Sequence, residues 1–454
     1  MTTARDLPAH LAAHFGPALD TRPEVLHDVA EDFGHIVRGT PLGVLRPGSV
    51  EEIKELLEFA GPRDIPVSVR GGGHSMYGQG QAGGGIVVDL HGMRRTGPVT
   101  DGQVTVPAGA LWRDVLAATL PHGLTPPVLT DYLGASVGGV LSAGGLGGAT
   151  HRHGLVADQV LELEVVTGAG EHRVCSPDRD PELFHAVLAG LGQCAVLVSA
   201  TLRLAPAPTR VRRYCLYYTD LTRYLADQRM LAEEGRFGYL EGQARPADDG
   251  WQYMIEAVAP HPDQLPPSDA DLLHGLAHDP TTVETADLTY AEFAHRVDTD
   301  EEVLTETGEW LHPHPWLNLL LPSDRAESVV RAVLADPAFH DLRDTGLVLL
   351  YPLLSRPLRA PLFRRPAGEV LYLFALLRTA PPGNVETAAA MVAANRAAYE
   401  LARSQGAVAY PVNALPLSDT DWREHYGSRW PAFADAKRRF DPHLVLARGH
   451  GLRF

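Results

Sequence analysis

The alternation of apolar and polar positions becomes regular at Leu42. Leu42–Pro47 is a short apolar run and predicts a strand. Ser49 followed by Glu52 forms a capping box, and Ile53, Leu56 and Leu57 supply the apolar stripe of a helix behind it. Pro66–Val69 and Gly85–Leu90 predict two more strands on either side of the turn-rich run Arg70–Gly85. The start therefore reads strand, helix, strand, glycine loop, strand. Val104–Pro107 precedes a helix carrying Trp112, Val115, Leu116 and Leu120, and a second glycine-rich stretch runs from Asp131 to His153. Leu161–Thr167 and His172–Ser176 predict a hairpin about Gly168-Ala169-Gly170, followed by a helix over Asp180–Leu188 and a strand over Ala195–Leu204.

Ala205-Pro206-Ala207-Pro208 is the clearest break and predicts a domain exit. Beyond it glycine clusters are few. Glu327–Ala335 and Glu386–Arg403 predict helices, Leu371–Leu377 a strand, and Trp422–Phe440 a helix with a loop after it. No internal repeat or low-complexity tract interrupts the 454 residues.

Composition narrows the function. Hydrophobic residues at 45% and charged residues at 21% supply an ordinary globular core. The net charge of −17 argues against a nucleic-acid surface and fits a soluble enzyme with a small-molecule substrate. No run approaches the roughly 18 apolar residues of a membrane span, so no membrane partner is expected. The opening MTTARDLPAHLAAHFG lacks a basic start followed by an apolar run, so no signal peptide is expected and the cytoplasm is the default. Cys175, Cys194 and Cys215 have neither disulfide nor metal spacing, and His151-Arg152-His153 has no third ligand nearby, so no metal is expected. The only lysines are Lys54 and Lys437, an arginine bias that suggests a GC-rich genome.

The glycine runs carry the candidate chemistry. In Arg70-Gly71-Gly72-Gly73-His74-Ser75, consecutive glycines allow positive φ, and successive N–H groups can form a nest for a pyrophosphate; a plain hairpin loop is the alternative. A Rossmann site is excluded, because this loop runs through Tyr77, Gly78, Gln79 and Gly80 into a strand instead of opening a helix. The second glycine run, from Thr130 to Gly147, suggests backbone packed around a large extended ligand.

Taken in order, RGGGHSMYGQGQAGGGIVVDL, TDYLGASVGGVLSAGGLGG, RHGLVADQVLELEVVTGAGE and LFHAVLAGLGQCAVLVSATLRLAPAP resemble plant-type cytokinin dehydrogenases. HPWLN (His314 to Asn318) and DWREHYGSRWPAFADAKRRFDP extend the resemblance over nearly the whole chain, most weakly from about 240 to 310. More broadly the chain resembles the vanillyl-alcohol oxidase and p-cresol methylhydroxylase flavoproteins. The resemblance implies an α+β, two-domain FAD-binding fold of that type. Residues 1–207 and 412–454 would bind FAD, and an antiparallel-sheet domain over 208–411 would cap the flavin and shape the substrate pocket.

Residue by residue, the resemblance implies that His74 carries FAD through an 8α-histidyl bond. Val69, Gly71, Gly72, Gly73, Ser75 and Gln79 would cradle the cofactor, with Ser136, Ser142, Leu146 and Leu197 as further contacts. Bicovalent relatives place a cysteine near the position of Tyr132, so a single bond is expected here. Asp131 matches the catalytic aspartate, which accepts a proton as hydride leaves the substrate carbon; read alone, Thr130-Asp131 is a turn cap. Trp316 would wall the substrate pocket. The acidic residue that meets the substrate is not cleanly matched, and Glu241 and Glu284 are the candidates. His450 stands where the family has a flavin-contacting glutamine, and Ala195 where it has a glycine. The implied activity is oxidation of a C–N bond to an imine that water hydrolyses, with O2 or a quinone as electron acceptor. A secondary-metabolite or sugar-alcohol oxidase and a flavin-binding protein without turnover are the alternatives.

Overall fold

The strand–helix–strand start assembles around a parallel pair on each side of Ile86–Asp89. Gly43–Leu45 and Val67–Arg70 both run parallel to it, and Leu19–Asp20 adds an antiparallel edge. The computed structural model describes residues 7–248, 250–262, 266–342 and 346–454; residues 1–6, part of the stretch read for a targeting signal, lie outside the described residues. Helix Val50–Ala60 covers this sheet with Ile53, Leu56 and Leu57 buried. Its cap differs from the expected box. Ser49 Oγ accepts from Glu52 N at 3.4 Å, but the Glu52 carboxylate accepts from Gly48 N at 2.7 Å, one residue earlier. Parallel neighbours require a long crossover. Between Val67–Arg70 and Ile86–Asp89 that crossover is the glycine run itself, residues 71–85.

A second sheet, wholly antiparallel, orders Val99–Thr100, Gln103–Pro107, Ala195–Arg203, Val160–Thr167 and His172–Cys175. Within the second glycine run, Val137–Ala143 is helical. Ser136 Oγ caps this helix from Gly139 N at 3.3 Å, and Val137, Val140 and Leu141 bury one face. Its glycines mark close packing. A Cβ on Gly138 would sit 2.9 Å from the Ala108 Cβ. The Ala-Pro break is also less open than it reads, since Ala205–Pro206 pairs with Leu124–Thr125.

From Arg210 the chain builds an eight-stranded antiparallel sheet. Its order is Glu284–Thr289, Arg210–Tyr218, Gly250–His261, Tyr239–Ala247, Leu347–Leu354, Val370–Leu377, Leu317–Pro322 and Val408–Ala409. Helices Leu221–Glu234, Ser323–Leu334 and Val385–Ser404 pack against it. Among the described residues no helix is long and apolar enough to cross a membrane.

The predicted helix Trp422–Phe440 is two helices, Asp419–Tyr426 and Trp430–Phe440, separated where Gly427 takes φ +49°. The chain then returns to the first sheet. Val67 N donates to Val445 O and Ala447 N to Val67 O, both at 2.9 Å. A buried ion pair pins this return. Lys437 Nζ lies 2.7 Å from Asp441 Oδ2 and donates to the carbonyls of Gln193 (2.8 Å) and Leu446 (3.0 Å). Asp441 in turn accepts from the amides of Val445 and Leu446.

Lys437→Met should cost about 3–5 kcal/mol in urea or thermal unfolding, because it leaves the Asp441 carboxylate buried without its counter-charge. A variant as stable as the wild type would contradict this account of the C-terminal return.

Candidate functional site

His74 sits on the crossover loop, held among aromatic rings. Its imidazole stacks on Phe33 with centroids 4.0 Å apart and on Tyr132 at 4.6 Å, with Trp310 at 5.8 Å and Trp316 at 6.2 Å. Burial, assisted by the nearby His314, pulls its pKa down to about 3, so the ring is neutral at physiological pH. The segment HPWLN thus delivers Trp316 to the same aromatic group.

The two glycine runs face each other backbone to backbone. A Cβ on Gly71 would lie 2.0 Å from Ser136 Oγ, and one on Gly72 3.2 Å from the Gly134 carbonyl oxygen. Gly73 takes φ +71° beside the Arg70 guanidinium. Such a Cβ-free cradle suits an extended phosphate-bearing cofactor. Val69 lies in the strand that leads into it, and Ser136 caps the helix opposite. Ser142, Leu146 and Leu197 belong to the same half of the molecule. The Ser142 carbonyl accepts from Leu191 N, Leu146 is buried in the core, and Leu197 borders a bulge in its strand.

Gln79 braces the loop. Its Oε1 accepts from the amides of Met76 (3.1 Å) and Tyr77 (2.7 Å), and its Nε2 donates to the Asn413 carbonyl (3.0 Å). Gln79, Asn413 and His450 also line a cavity of about 510 Å³. Burial and the Lys437 charge lower His450 to about 4. Its Nδ1 and the Asn413 Oδ1 are buried without a partner among the described residues, two polar atoms that suit a bound cofactor with donors and acceptors of its own.

Asp131, at the head of the second glycine run, is joined to the eight-stranded sheet. Its Oδ1 accepts from Tyr239 OH and Arg296 Nη2, each at 2.7 Å. Arg296 Nε lies 3.4 Å from Glu256 Oε2 and its Nη2 3.9 Å from Glu241 Oε2, and Arg213 pairs with Glu256 from the neighbouring strand. Strand periodicity explains the convergence. Tyr239 and Glu241 are two apart and share a face, and Glu256 is the cross-strand partner of Glu241.

Asp131 and Glu241 do not titrate alike. Burial by itself raises Asp131, but the Arg296 charge and hydrogen bonds from Glu241, Tyr239 and Arg296 outweigh it and bring its pKa below the ordinary aspartate value. Burial, then the negative charge of Asp131, pushes Glu241 well above the ordinary glutamate value. Glu241 therefore holds the proton of the pair and donates it to Asp131. The Asp131 side chain is 26% exposed and that of Glu241 3%, so Asp131 is the carboxylate a small molecule can reach.

Glu284 is not part of this group. It lies exposed on the edge strand Glu284–Thr289, where its Oε1 accepts from Tyr217 OH at 2.8 Å. Sequence reading missed Tyr239, Glu256, Arg296 and Arg213. Two signals were available: the alternation Tyr239-x-Glu241, and a lone carboxylate inside the apolar run Met254-Ile255-Glu256-Ala257-Val258.

Comparison with known proteins gives a consistent result. A family model described as FAD binding domain matches residues 41–176, and one described as cytokinin dehydrogenase 1, FAD and cytokinin binding, matches residues 253–453. An uncharacterized oxidoreductase in the fasciation locus of Rhodococcoides fascians is 43% identical over 430 residues, covering 94% of this chain and 97% of its own. Cytokinin dehydrogenase 6 of Oryza sativa subsp. japonica is 34% identical over 498 residues, covering 98% and 93% respectively. Cytokinin dehydrogenase 2 of Arabidopsis thaliana is 32% identical over 469 residues, covering 96% and 93%.

Removing the Arg296 charge should expose the cost of gathering these acids. Without it burial leaves Asp131 binding its proton more tightly folded than unfolded, so stability falls as pH rises. Arg296→Met should lose about 3–5 kcal/mol at pH 8 and less at pH 5, read by urea denaturation at both. Equal losses at the two pH values would contradict the charge assignment.

Proposed function

We propose that this chain, which belongs to the cytokinin dehydrogenase family of FAD-dependent oxidoreductases, oxidises the C–N bond of a small secondary amine with Asp131 as the proton acceptor. The observation that carries the reading is the Asp131 carboxylate, hydrogen-bonded by Arg296 and Tyr239 beside the buried Glu241 and one residue from the ring stacked on His74. FAD, when bound, supplies the hydride acceptor. In this reading residues 1–207 and 412–454 hold FAD and residues 208–411 shape the pocket. Val69, Gly71, Gly72, Gly73 and Ser75 form the cradle, Ser136, Ser142, Leu146, Leu197 and His450 complete it, and His74 bonds the flavin covalently. Gln79 supports the same loop from behind.

Asp131 takes up the N–H proton as hydride leaves the adjacent carbon. An ion-paired carboxylate is a weak base, and the neutral Glu241 sharing its proton keeps a second negative charge out of the site. Tyr239, raised well above its ordinary value by burial, stays a hydrogen-bond donor throughout. Trp310, Trp316, Phe33 and Tyr132 surround the imidazole of His74 and keep water from it. The imine so formed is hydrolysed by water.

Acid precipitation of the wild type should leave the flavin in the pellet, and His74→Ala should release it to the supernatant; complete release from the wild type would overturn covalent attachment. In stopped-flow bleaching with an isoprenoid adenine, Asp131→Asn should retain FAD and reduce it about 100- to 10,000-fold more slowly. Reduction near the wild-type rate would make Asp131 a turn residue. Bleaching by a simple alcohol but by no amine would overturn the C–N reading.

A further inference from the structure

We infer that Asp32 is a positioning residue for His74, the carboxylate that fixes the turn on which the imidazole is presented for attachment of the flavin. The inference rests on the covalent reading above and assigns a role to a buried acid that proton transfer from the substrate does not use.

Asp32 is 2% exposed and lies directly behind the loop. Its Oδ2 accepts from Ser75 Oγ at 2.9 Å and from Gly78 N at 2.6 Å, and Ser75 Oγ accepts in turn from Gly80 N at 3.3 Å. The next two residues grip the loop on either side of His74. Phe33 N donates to the Gly73 carbonyl at 2.9 Å and Gly34 N to the Ser75 carbonyl at 3.0 Å. Gly34 has no room for a side chain, since a Cβ there would lie 1.8 Å from the Met76 carbonyl oxygen. Asp32-Phe33-Gly34 is therefore a clamp fitted against residues 73–78.

The imidazole itself makes no ring-nitrogen hydrogen bond among the described residues, so stacking on Phe33 and the backbone grip are what orient it. A neutral ring without such bonds keeps a nitrogen lone pair free. Attachment forms one bond between an imidazole nitrogen and the flavin 8α-carbon and breaks one N–H and one C–H bond. Both hydrogens and two electrons end on the flavin ring, from which dioxygen takes them to give hydrogen peroxide. The protein contributes the placement of one ring, and errors of about an ångström in such placement slow a reaction by about 100-fold. The second oxygen of Asp32 is buried without a partner among the described residues, and burial raises the acid to about 6 against the hydrogen bonds of Gly78 and Ser75. At neutral pH and above the carboxyl is largely ionised, and Ser75 Oγ and Gly78 N donate to its oxygen.

The test uses the full-length apoprotein, obtained under riboflavin limitation and mixed with FAD. Covalent flavin is followed as fluorescence in denaturing gels, total flavin by absorbance after desalting, and folding by thermal denaturation. Asp32→Ala should bind FAD and attach it about 10- to 100-fold more slowly. Asp32→Asn keeps an oxygen for Ser75 Oγ and Gly78 N, and should attach it at close to the wild-type rate. Ser75→Ala, which removes one of the two bonds, should fall between. A wild-type rate in Asp32→Ala, or an Asp32→Asn as slow as Asp32→Ala, overturns the inference. If Asp32→Ala does not fold, Ser75→Ala decides at saturating FAD, with slow attachment at wild-type total flavin supporting the role and wild-type attachment overturning it. Absence of covalent flavin from the wild type would overturn the His74 reading and this inference with it, whereas the other outcomes bear on Asp32 alone.

Discussion

Asp131 and Arg296 meet across the boundary between the glycine-rich half of the chain and the eight-stranded sheet, and the rest of the site is arranged around that contact. A carboxylate so placed needs a counter-charge, and Arg296 supplies it while also facing Glu241 and Glu256. Three acids and two arginines, Arg213 and Arg296, balance only if one acid is neutral. Guanidinium contact decides which one. Glu241 and Glu256 are equally buried, but Glu256 is paired with Arg213, whereas Glu241 has no guanidinium within hydrogen-bond distance among the described residues and keeps its proton; Asp131, partly open and doubly hydrogen-bonded, gives its proton up.

The second constraint is close approach of backbone. Gly71 and Gly72 stand where any side chain would strike Ser136 or Gly134, so the two glycine runs press together and bring Tyr132, next to Asp131, onto the ring of His74. The acid network and the imidazole are thus neighbours through one residue. The C-terminal return, pinned by Lys437 and Asp441, closes the other side by hydrogen-bonding to Val67 just before the cradle. Fold and site are coupled here, since moving any of these three pieces displaces the loop that holds His74.

Much of this was legible in the sequence, for identifiable reasons. Strands with continuous apolar runs and the capped helix after Ser49 declared themselves by period, and the ordered glycine motifs pointed to His74 and Asp131. The glycines of the second run did not show the helix Val137–Ala143 that they allow to pack closely, and a single positive φ at Gly427 split what periodicity joined. Glu284 was a candidate by its distance along the chain, but strand order places it on the sheet edge, away from Asp131. Arg296 was silent because an arginine after a histidine reads as a solvated face, and Glu256 showed only as a lone carboxylate in an apolar run. Only the pairing of Tyr239–Ala247 with Gly250–His261 shows that Glu256 lies beside Glu241.

The central claim is that one proton is held on Glu241 while Asp131 remains ionised. Infrared spectroscopy of the carboxylic-acid carbonyl stretch tests it most directly, comparing wild type with Glu241→Gln at pH 8, where Asp32 is already ionised. The account predicts a protonated-acid band in the wild type that disappears in Glu241→Gln. A wild-type spectrum without that band, or a band unchanged by the substitution, would contradict it.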